Sequence, residues 1–440
     1  MTLKRINRVK IGKQTGSPVW DQVGKFKTGA PDNVTYVDLE MTDASSVELT
    51  SPQIEITGQR GDGQTPPGVQ GNRDGAPSLA FYMRGLDLSG GAATGINADT
   101  AAPQYDMLLE QSTGGSIRNT IGADAAAGST RWVINFAGGV VAGMGVAVGD
   151  MLGWQNSAGK MEVLPIVAIG ATTITVAGHA VNGTGGFSDA PATNDDMFGM
   201  RSYAVDQTAG GRTHVIVHAQ LAQSGVERFV FGCMGSMGFA DADGLLVATW
   251  AGQAQDWKTP AELTGEPTFG AFVAPNLGPV STRGARVMIC ASNNWGVDAA
   301  GSFSNTDVAV ATAISGSLDL ATDIQPRTAA TGENGRQGFV AVQNECSADL
   351  RLYHDGTTAN LLAGSSQTFG DGALLEFMGE QTTSILMQFG DTPGNTVVLE
   401  IPCYQANAVL GEEGGLATID LTGRGFRPTY GSATAKVYLL

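Results

Sequence analysis

Apolar residues along this chain recur mostly at every second position, the spacing that turns one face of a β-strand toward a core. In residues 33–57, NVTYVDLEMTDASSVELTSPQIEIT, the pairs Val34/Tyr36, Val37/Leu39, Val47/Leu49 and Ile54/Ile56 alternate with polar residues, with one slip at Val37. Strands are predicted there. The next stretch, Gly58 to Pro77, holds six glycines and three prolines, so it cannot be a buried strand core. Lying between two strand patterns, it reads as a long projecting hairpin loop. A second Gly-rich stretch, DIQPRTAATGENGRQG (Asp323 to Gly338), has the same character. Loops of this length are uncommon in compact domains unless they have a task.

The alternating pattern occurs twice. RTHVIVHAQLAQSGVERFVFGCMGSMGFADADGLLVATWAG surrounds Cys233, and TTSILMQFGDTPGNTVVLEIPCYQANAVLGEEGGLATIDLTG surrounds Cys403. With one added glycine the two run in parallel from Thr213/Thr383 to Gly252/Gly423. Each reads as a short apolar strand, a Gly/Ser/Asn turn, a second strand ending near the cysteine, an acidic turn, and a third strand beginning Gly-Leu. Upstream, Ser78–Gly85 (SLAFYMRG) parallels Asp349–Gly356 (DLRLYHDG). Two similar all-β units in one chain point to a part of a symmetric assembly more than to an enzyme with one cleft.

One segment has helical spacing, TAAPQYDMLLEQSTGG. Thr100 can cap it, Pro103 suits its first turn, Tyr105, Leu108 and Leu109 share a face, and Gly114 and Gly115 stop it. A shorter helix from Thr357 is expected at the equivalent place in the second copy. The first copy also carries about a hundred extra residues. Within them, STRWVINFAGG and GDMLGWQNSAGKMEVLPIVAIGATTITVAGHAV predict five short strands, a Gly-Asp-Met-Leu turn at 149–152 and a strand at 171–176, the vocabulary of a small barrel. The expected organisation is a basic N-terminal arm (1–28), a first unit (29–121 with 206–258), an inserted β-barrel (122–205) and a second unit (259–440). The inserted barrel is expected to face outward as a decoration.

Composition agrees with a chain of short strands and turns: 62 glycines in 440 residues, only 15% charged residues, and enough apolar residues (42%) for real cores. No run of eighteen apolar residues occurs, so no membrane helix is expected. The opening MTLKRINRVKIGKQ lacks the apolar region of a signal peptide, which leads to an expectation of cytoplasmic folding. Net charge is −17, but residues 1–28 carry +6 and the remainder −23. The basic residues Lys4, Arg5, Arg8, Lys10 and Lys13 read either as a solvated tail or as an arm docking on an acidic face of a neighbouring copy. An acidic body disfavours tight DNA binding.

Candidate chemistry is sparse. His214 and His218 flank Val215–Val217, a β-branched run, so they belong on a strand about 13 Å apart and cannot share a metal. His179 and His354 stand alone. The cysteines Cys233, Cys290, Cys346 and Cys403 are far apart and read as reduced, buried thiols. Asp195/Asp196, Asp241/Asp243 and Glu412/Glu413 could hide a glycosidase pair, but each sits in a turn, where acids are ordinary. No nucleotide-binding, nucleophile-elbow, zinc-protease or calcium-loop motif occurs. No catalytic, metal or cofactor residue is therefore assigned.

The opening IGKQTGSPVW, the SPQIEITGQRGDG, GVQGNRDG and SLAFYMRGL blocks, and the Gly-Asp module of the insertion resemble tail tube proteins of long-tailed bacteriophages. SGSLDLATDIQPRTAATGENGRQGF and IPCYQANAVLGEEGGLATIDLTGRGF resemble the same family's C-terminal half. The resemblance implies a mainly β chain: two tail-tube-type β-sandwich units with small flanking helices, plus the inserted small β-barrel. In that family strands join those of neighbours into an inner barrel, and rings stack into a hollow tube through which the genome leaves. Members with one unit form sixfold rings, so a two-unit chain is expected to make a pseudo-sixfold ring from three copies, with a hexamer the other option. The resemblance further implies a virion tail location, assembly in the host cytoplasm, a tape measure and a tail terminator as partners, and DNA that passes without tight binding. Ring-stacking contacts are expected from the two Gly-rich loops, at Gln59, Arg60, Asp62, Asn72, Arg73, Asp74, Gln325, Arg327, Glu333, Asn334 and Arg336. Rival readings are a capsid decoration or tail fibre protein, and a carbohydrate-active enzyme using the acidic turns.

Overall fold

The computed structural model describes residues 2–3, 6–14, 36–51, 53–54, 69–70, 73–86, 103–114, 116–177, 186–205, 214–221, 225–263, 268–290, 295, 308–311, 313–328, 336–353, 382–427 and 433–440. These residues are mainly β, as the alternating pattern predicts. The chain opens with β1 (Thr2–Leu3), β2 (Ile6–Gln14), β3 (Tyr36–Leu39), β4 (Ser46–Thr50), the short ribbon β5 (Gln53–Ile54) and β6 (Val69–Gln70), and β7 (Asp74–Tyr82). Helix α1 (Asp106–Thr113) and β8 (Ser116–Asn119) follow. Next come β9 (Ala123–Asp124), β10 (Val133–Asn135), α2 (Val140–Met144), β11 (Met151–Gln155), β12 (Met161–Ile169), β13 (Thr173–Val176) and β14 (Asp196–Phe198). The first unit resumes with β15 (Arg201–Ala204), β16 (His214–Leu221), β17 (Val226–Ala242), β18 (Leu245–Gln253) and β19 (Asp256–Lys258). The second comprises β20 (Arg286–Cys290), β21 (Val308–Ala311), β22 (Ala313–Thr328), β23 (Arg336–Tyr353), β24 (Thr383–Thr392), β25 (Asn395–Glu413), β26 (Leu416–Gly425) and β27 (Lys436–Leu439).

The two units pair in the same order. In the first, β3, β2, β16, the first half of β17 and β19 form one run of strands, while β4, β7, β18 and the second half of β17 form another. In the second, β21, β20, β24, the first half of β25 and β27 correspond to the former run, and β22, β23, β26 and the second half of β25 to the latter. Strands β17 and β25 each cross from one run to the other near their cysteine. There Gly232 adopts φ +62°, a left-handed conformation that favours glycine. Both hairpins after the crossing close with two residues of positive φ, Asp243-Gly244 and Gly414-Gly415. That is the type I′ turn selected by the right-handed twist of paired strands.

Among the described residues, beside a small second cluster at Ile216, Phe229 and Phe231, one large buried core runs through both units and the insertion. Alternation aims Val9 and Ile11 of β2, Val215 and Val217 of β16, and Leu79 and Phe81 of β7 into it. Trp250 of β18 is fully buried, and its indole fills the space left by two glycines. A Cβ on Gly235 or Gly252 would lie 2.5 or 2.4 Å from ring atoms. Gln111 of α1 accepts from the Trp250 indole N–H (2.9 Å) and from the Gly235 N–H (3.0 Å), pinning helix to sheet.

The expected helix starts later than its sequence suggests. Tyr105 is its N-cap, Pro103 precedes it and receives the Asp106 N–H on its carbonyl, and Gly114 ends it with φ +98°. The cause is tertiary: the Tyr105 hydroxyl bonds the backbone of Arg84, and its ring stacks on Phe81. Thr100 and the segment from Thr357 lie outside the described residues.

The insertion forms a six-stranded sheet in the order β10-β13-β12-β11-β14-β9; the two segments expected to hold five strands supply four, β10 to β13, and β9 and β14 come from outside them. Its end strands are linked where the Ala126 N–H donates to Asn135 O at 2.7 Å. It spans 123–198, because β15 pairs with β8 and β27 of the large sheet. Nor is it a free outward decoration. Buried Gln388 of β24 donates to Met161 O (2.7 Å) and accepts from Val163 N–H (3.1 Å), and Lys436 and Tyr438 both donate to Gly149 O.

The basic arm is corrected as well. Residues 6–14 form β2, an interior strand between β16 and β3. Their basic–apolar alternation is strand periodicity, which the charge count obscured.

Candidate assembly edges

The two sheets of the repeat are joined directly. Strand β17 of the first unit pairs antiparallel with β22 of the second, Met237↔Leu320 through Ala240↔Ser317. Strand β22 therefore lies between β23 and β17, and its counterpart in the first unit is β4, which lies beside β7. The registers equate the two: Ser46 faces Ser78 as Ser317 faces Asp349, so Ser46–Leu49 (SVEL) matches Ser317–Leu320 (SLDL).

The counterpart of the β17 segment is Ala408–Gly411 of β25. One edge of it pairs with β26; among the described residues no strand pairs with the other. Burial follows the pairing. Phe239 is 1% exposed where β22 lies beside β17, whereas its counterpart Leu410 on β25 is 41% exposed and the adjoining Val409 59%. Large apolar residues on an open strand edge mark a surface fitted for another strand.

The proposed stacking residues divide unevenly. Gln59, Arg60, Asp62, Asn72, Glu333 and Asn334 lie outside the described residues. Arg73 stands at the foot of its loop, ion-paired with Glu262 (2.7 Å) and stacked on Trp257 (4.9 Å), and Asp74 begins β7. Gln325 is exposed and donates to Asp323. Arg327 and Arg336 are strand residues. Most of the stretch read as a loop at 323–338 is the β22–β23 hairpin itself, with Thr328 opposite Arg336. Pro326 lies beyond the stretch of β22 that β17 flanks, at an edge position where proline is tolerated.

The basic residues that β2 displays find partners in their own chain. Arg8 pairs with Asp38 (3.1 Å) and lies over Phe269 and Phe272, Lys10 lies over Phe269, and Lys13 pairs with Glu110 (2.6 Å). Lys4 and Arg5 lie outside the described residues. Below Phe269 sits His218, stacked between that ring and Phe229, with its Nε2 3.0 Å from Glu227. Burial, helped by Lys10, pushes its imidazole down to about 3, so the ring is neutral and donates to the carboxylate. Burial pushes His214 down to about 4. Both lie on β16, as the β-branched run predicts. His179 and His354 lie outside the described residues.

The acidic turns serve local structure. Asp195 accepts from the Trp154 indole and the Ala192 N–H, Asp241 from the Gly244 N–H and the Thr282 hydroxyl, and Glu413 pairs with Arg351. Asp196 faces Asp124 across β14–β9, and burial with that neighbour holds its carboxyl above the ordinary range. All four cysteines are buried thiols outside any disulfide. Burial pushes the Cys346 thiol up to about 12, an inert state. Among the described residues no three His, Cys, Asp or Glu side chains converge as metal ligands, and no helix is long and apolar enough to cross a membrane. No protein-family model and no curated protein matches the chain.

Proposed function

We propose that this protein is a structural virion component whose copies join edge to edge into rings, the rings stacking into the hollow tail tube of a bacteriophage. The observation that carries the reading is the β17–β22 junction together with its missing counterpart. Inside one chain, two equivalent four-stranded sheets are already fused, and the second unit presents the matching segment of β25 with its apolar residues uncovered. A second copy offering β4 to that segment repeats the junction, and head-to-tail repetition that closes makes a ring. Three copies then supply six equivalent units, the arrangement favoured over six copies. The role is architectural and not catalytic. A net charge of −17 suits a conduit for DNA, since it repels phosphate and disfavours tight binding. The β22–β23 hairpin and the ribbon-extended β4–β7 hairpin are the elements assigned to contacts between rings. The tape measure and tail terminator are the further partners of this reading, the virion tail its location, and the host cytoplasm its place of assembly.

Electron micrographs of the purified protein test it. Stacked rings or hollow tubes of uniform width are expected. A V409D/L410D double variant, altered only at exposed positions, should remain folded and monomeric. Particles that stay dispersed at every concentration would overturn the reading, and capsid binding or polysaccharide cleavage by such monomers would return a rival one.

A further inference from the structure

Strand β4 is not bare. Its edge away from β7 pairs antiparallel with β1, Thr2↔Glu48 and Leu3↔Val47. The same edge of β22 is occupied by β17, whose residues face Ser317–Leu320. Since Ser46–Leu49 is the counterpart of Ser317–Leu320, the two residues of β1 sit in the middle of the four-residue edge where β25 of a second copy would pair. Direction agrees too, because β1–β4 and β17–β22 are both antiparallel.

We infer that β1 is a removable stand-in for the neighbouring copy: it covers the docking edge of β4 in the free chain and must leave before β25 of a second copy can add there. This rests on the proposed function and adds a regulation to it. A sheet edge can hold one strand at a time, so β1 and the incoming copy compete for the same backbone N–H and C=O groups. A two-residue strand is a weak competitor against the four residues of a β17-like contact. The free chain is thus protected from premature edge pairing, while a partner held in place, such as a growing end, displaces β1. The N-terminal segment freed by that exchange becomes available at each new joint.

Two variants test this. Removing residues 1–5 should lower the concentration at which the full remaining chain assembles by about tenfold, equivalent to about 1.4 kcal/mol, and should shorten the lag in light scattering. In the second, a Thr2→Cys/Glu48→Cys pair is oxidised and bond formation is checked by gel mobility. Micrographs should then show no assembly until reductant is added, after which tubes appear. Failure of the disulfide to form, or oxidised protein assembling as readily as reduced protein, would overturn the stand-in while leaving the tube reading intact. If neither the wild type nor any variant assembles, both fall together.

Discussion

At the scale of single residues, the most consequential side chains are polar groups held without water. His218 is kept neutral between Phe229 and Phe269, and His214 is likewise depressed. An unfolded chain binds protons at both sites below about pH 6.5, whereas the folded chain resists until much lower pH. The stability these groups contribute is therefore full above pH 6.5 and is lost as pH falls toward 4 and 3, at up to about 1.4 kcal/mol per pH unit for each histidine. A His218→Phe variant should show a visibly shallower loss of stability between pH 6.5 and 4 in urea titrations. A slope equal to the wild type's would contradict the assignment. Glu400 is a second case: it is buried and accepts from the Trp295 indole (2.7 Å) and the Tyr438 hydroxyl (2.7 Å), with Lys436 at 3.6 Å. Glu400→Leu strands these donors and should cost about 3–5 kcal/mol. The glycines around Trp250 act by absence of bulk, so Gly252→Ala should cost about 1–3 kcal/mol through overpacking, read as a lower urea midpoint.

At the scale of elements, the junction strand β22 carries a built-in repulsion. Burial and then the nearby Asp349 hold the Asp319 carboxyl above the ordinary range. A raised carboxyl favours the protonated folded form, so the junction is firmest below the usual carboxylate range and weakens as pH rises through the raised value. Asp319→Asn should raise the melting temperature at pH 7, and the gap should close on acidification to about pH 4. Local alternation made β4, β16 and β18 legible, and the I′ turns were written as Asp-Gly and Gly-Gly. Strand β7 was legible only from Ser78, since Asp74–Pro77 fell in the Gly-rich stretch read as a loop, and β17 only as far as Cys233, beyond which it runs on to Ala242. Three features were not legible, for one reason. Strand β2 shows alternating Arg8, Val9, Lys10 and Ile11, but its charged face is settled by Phe269 and Asp38, partners that no local pattern reveals. The β22–β23 arms run on through Gly-rich sequence because each supplies the other's hydrogen bonds. The β17–β22 joint, the core of the candidate site, pairs residues some eighty positions apart, and only the repeated SVEL and SLDL segments hint at it.

At the scale of the whole molecule, Gln388 is one buried tie between the insertion and the second unit, its amide meeting both Met161 O and Val163 N–H. Gln388→Ala leaves both groups unsatisfied, costing about 1–3 kcal/mol. Calorimetry should then resolve a separate, earlier transition for residues 123–198, where the wild type melts with its host unit; a single unshifted transition would show that the apolar contacts alone bind the insertion. The fusion of two units through β17 and β22 has a different kind of consequence. A ring built from single-unit subunits has one sort of joint, so any substitution that adjusts how tightly the ring closes also adjusts every other joint. In the proposed ring one joint, β17–β22, belongs to folding and its counterpart would belong to assembly, and the two are written in separate stretches of sequence. On that reading Met237–Ala240 could drift toward permanence while Ala408–Gly411 stayed weak enough to dissociate and correct errors, a freedom of tuning that a chain with a single unit does not have.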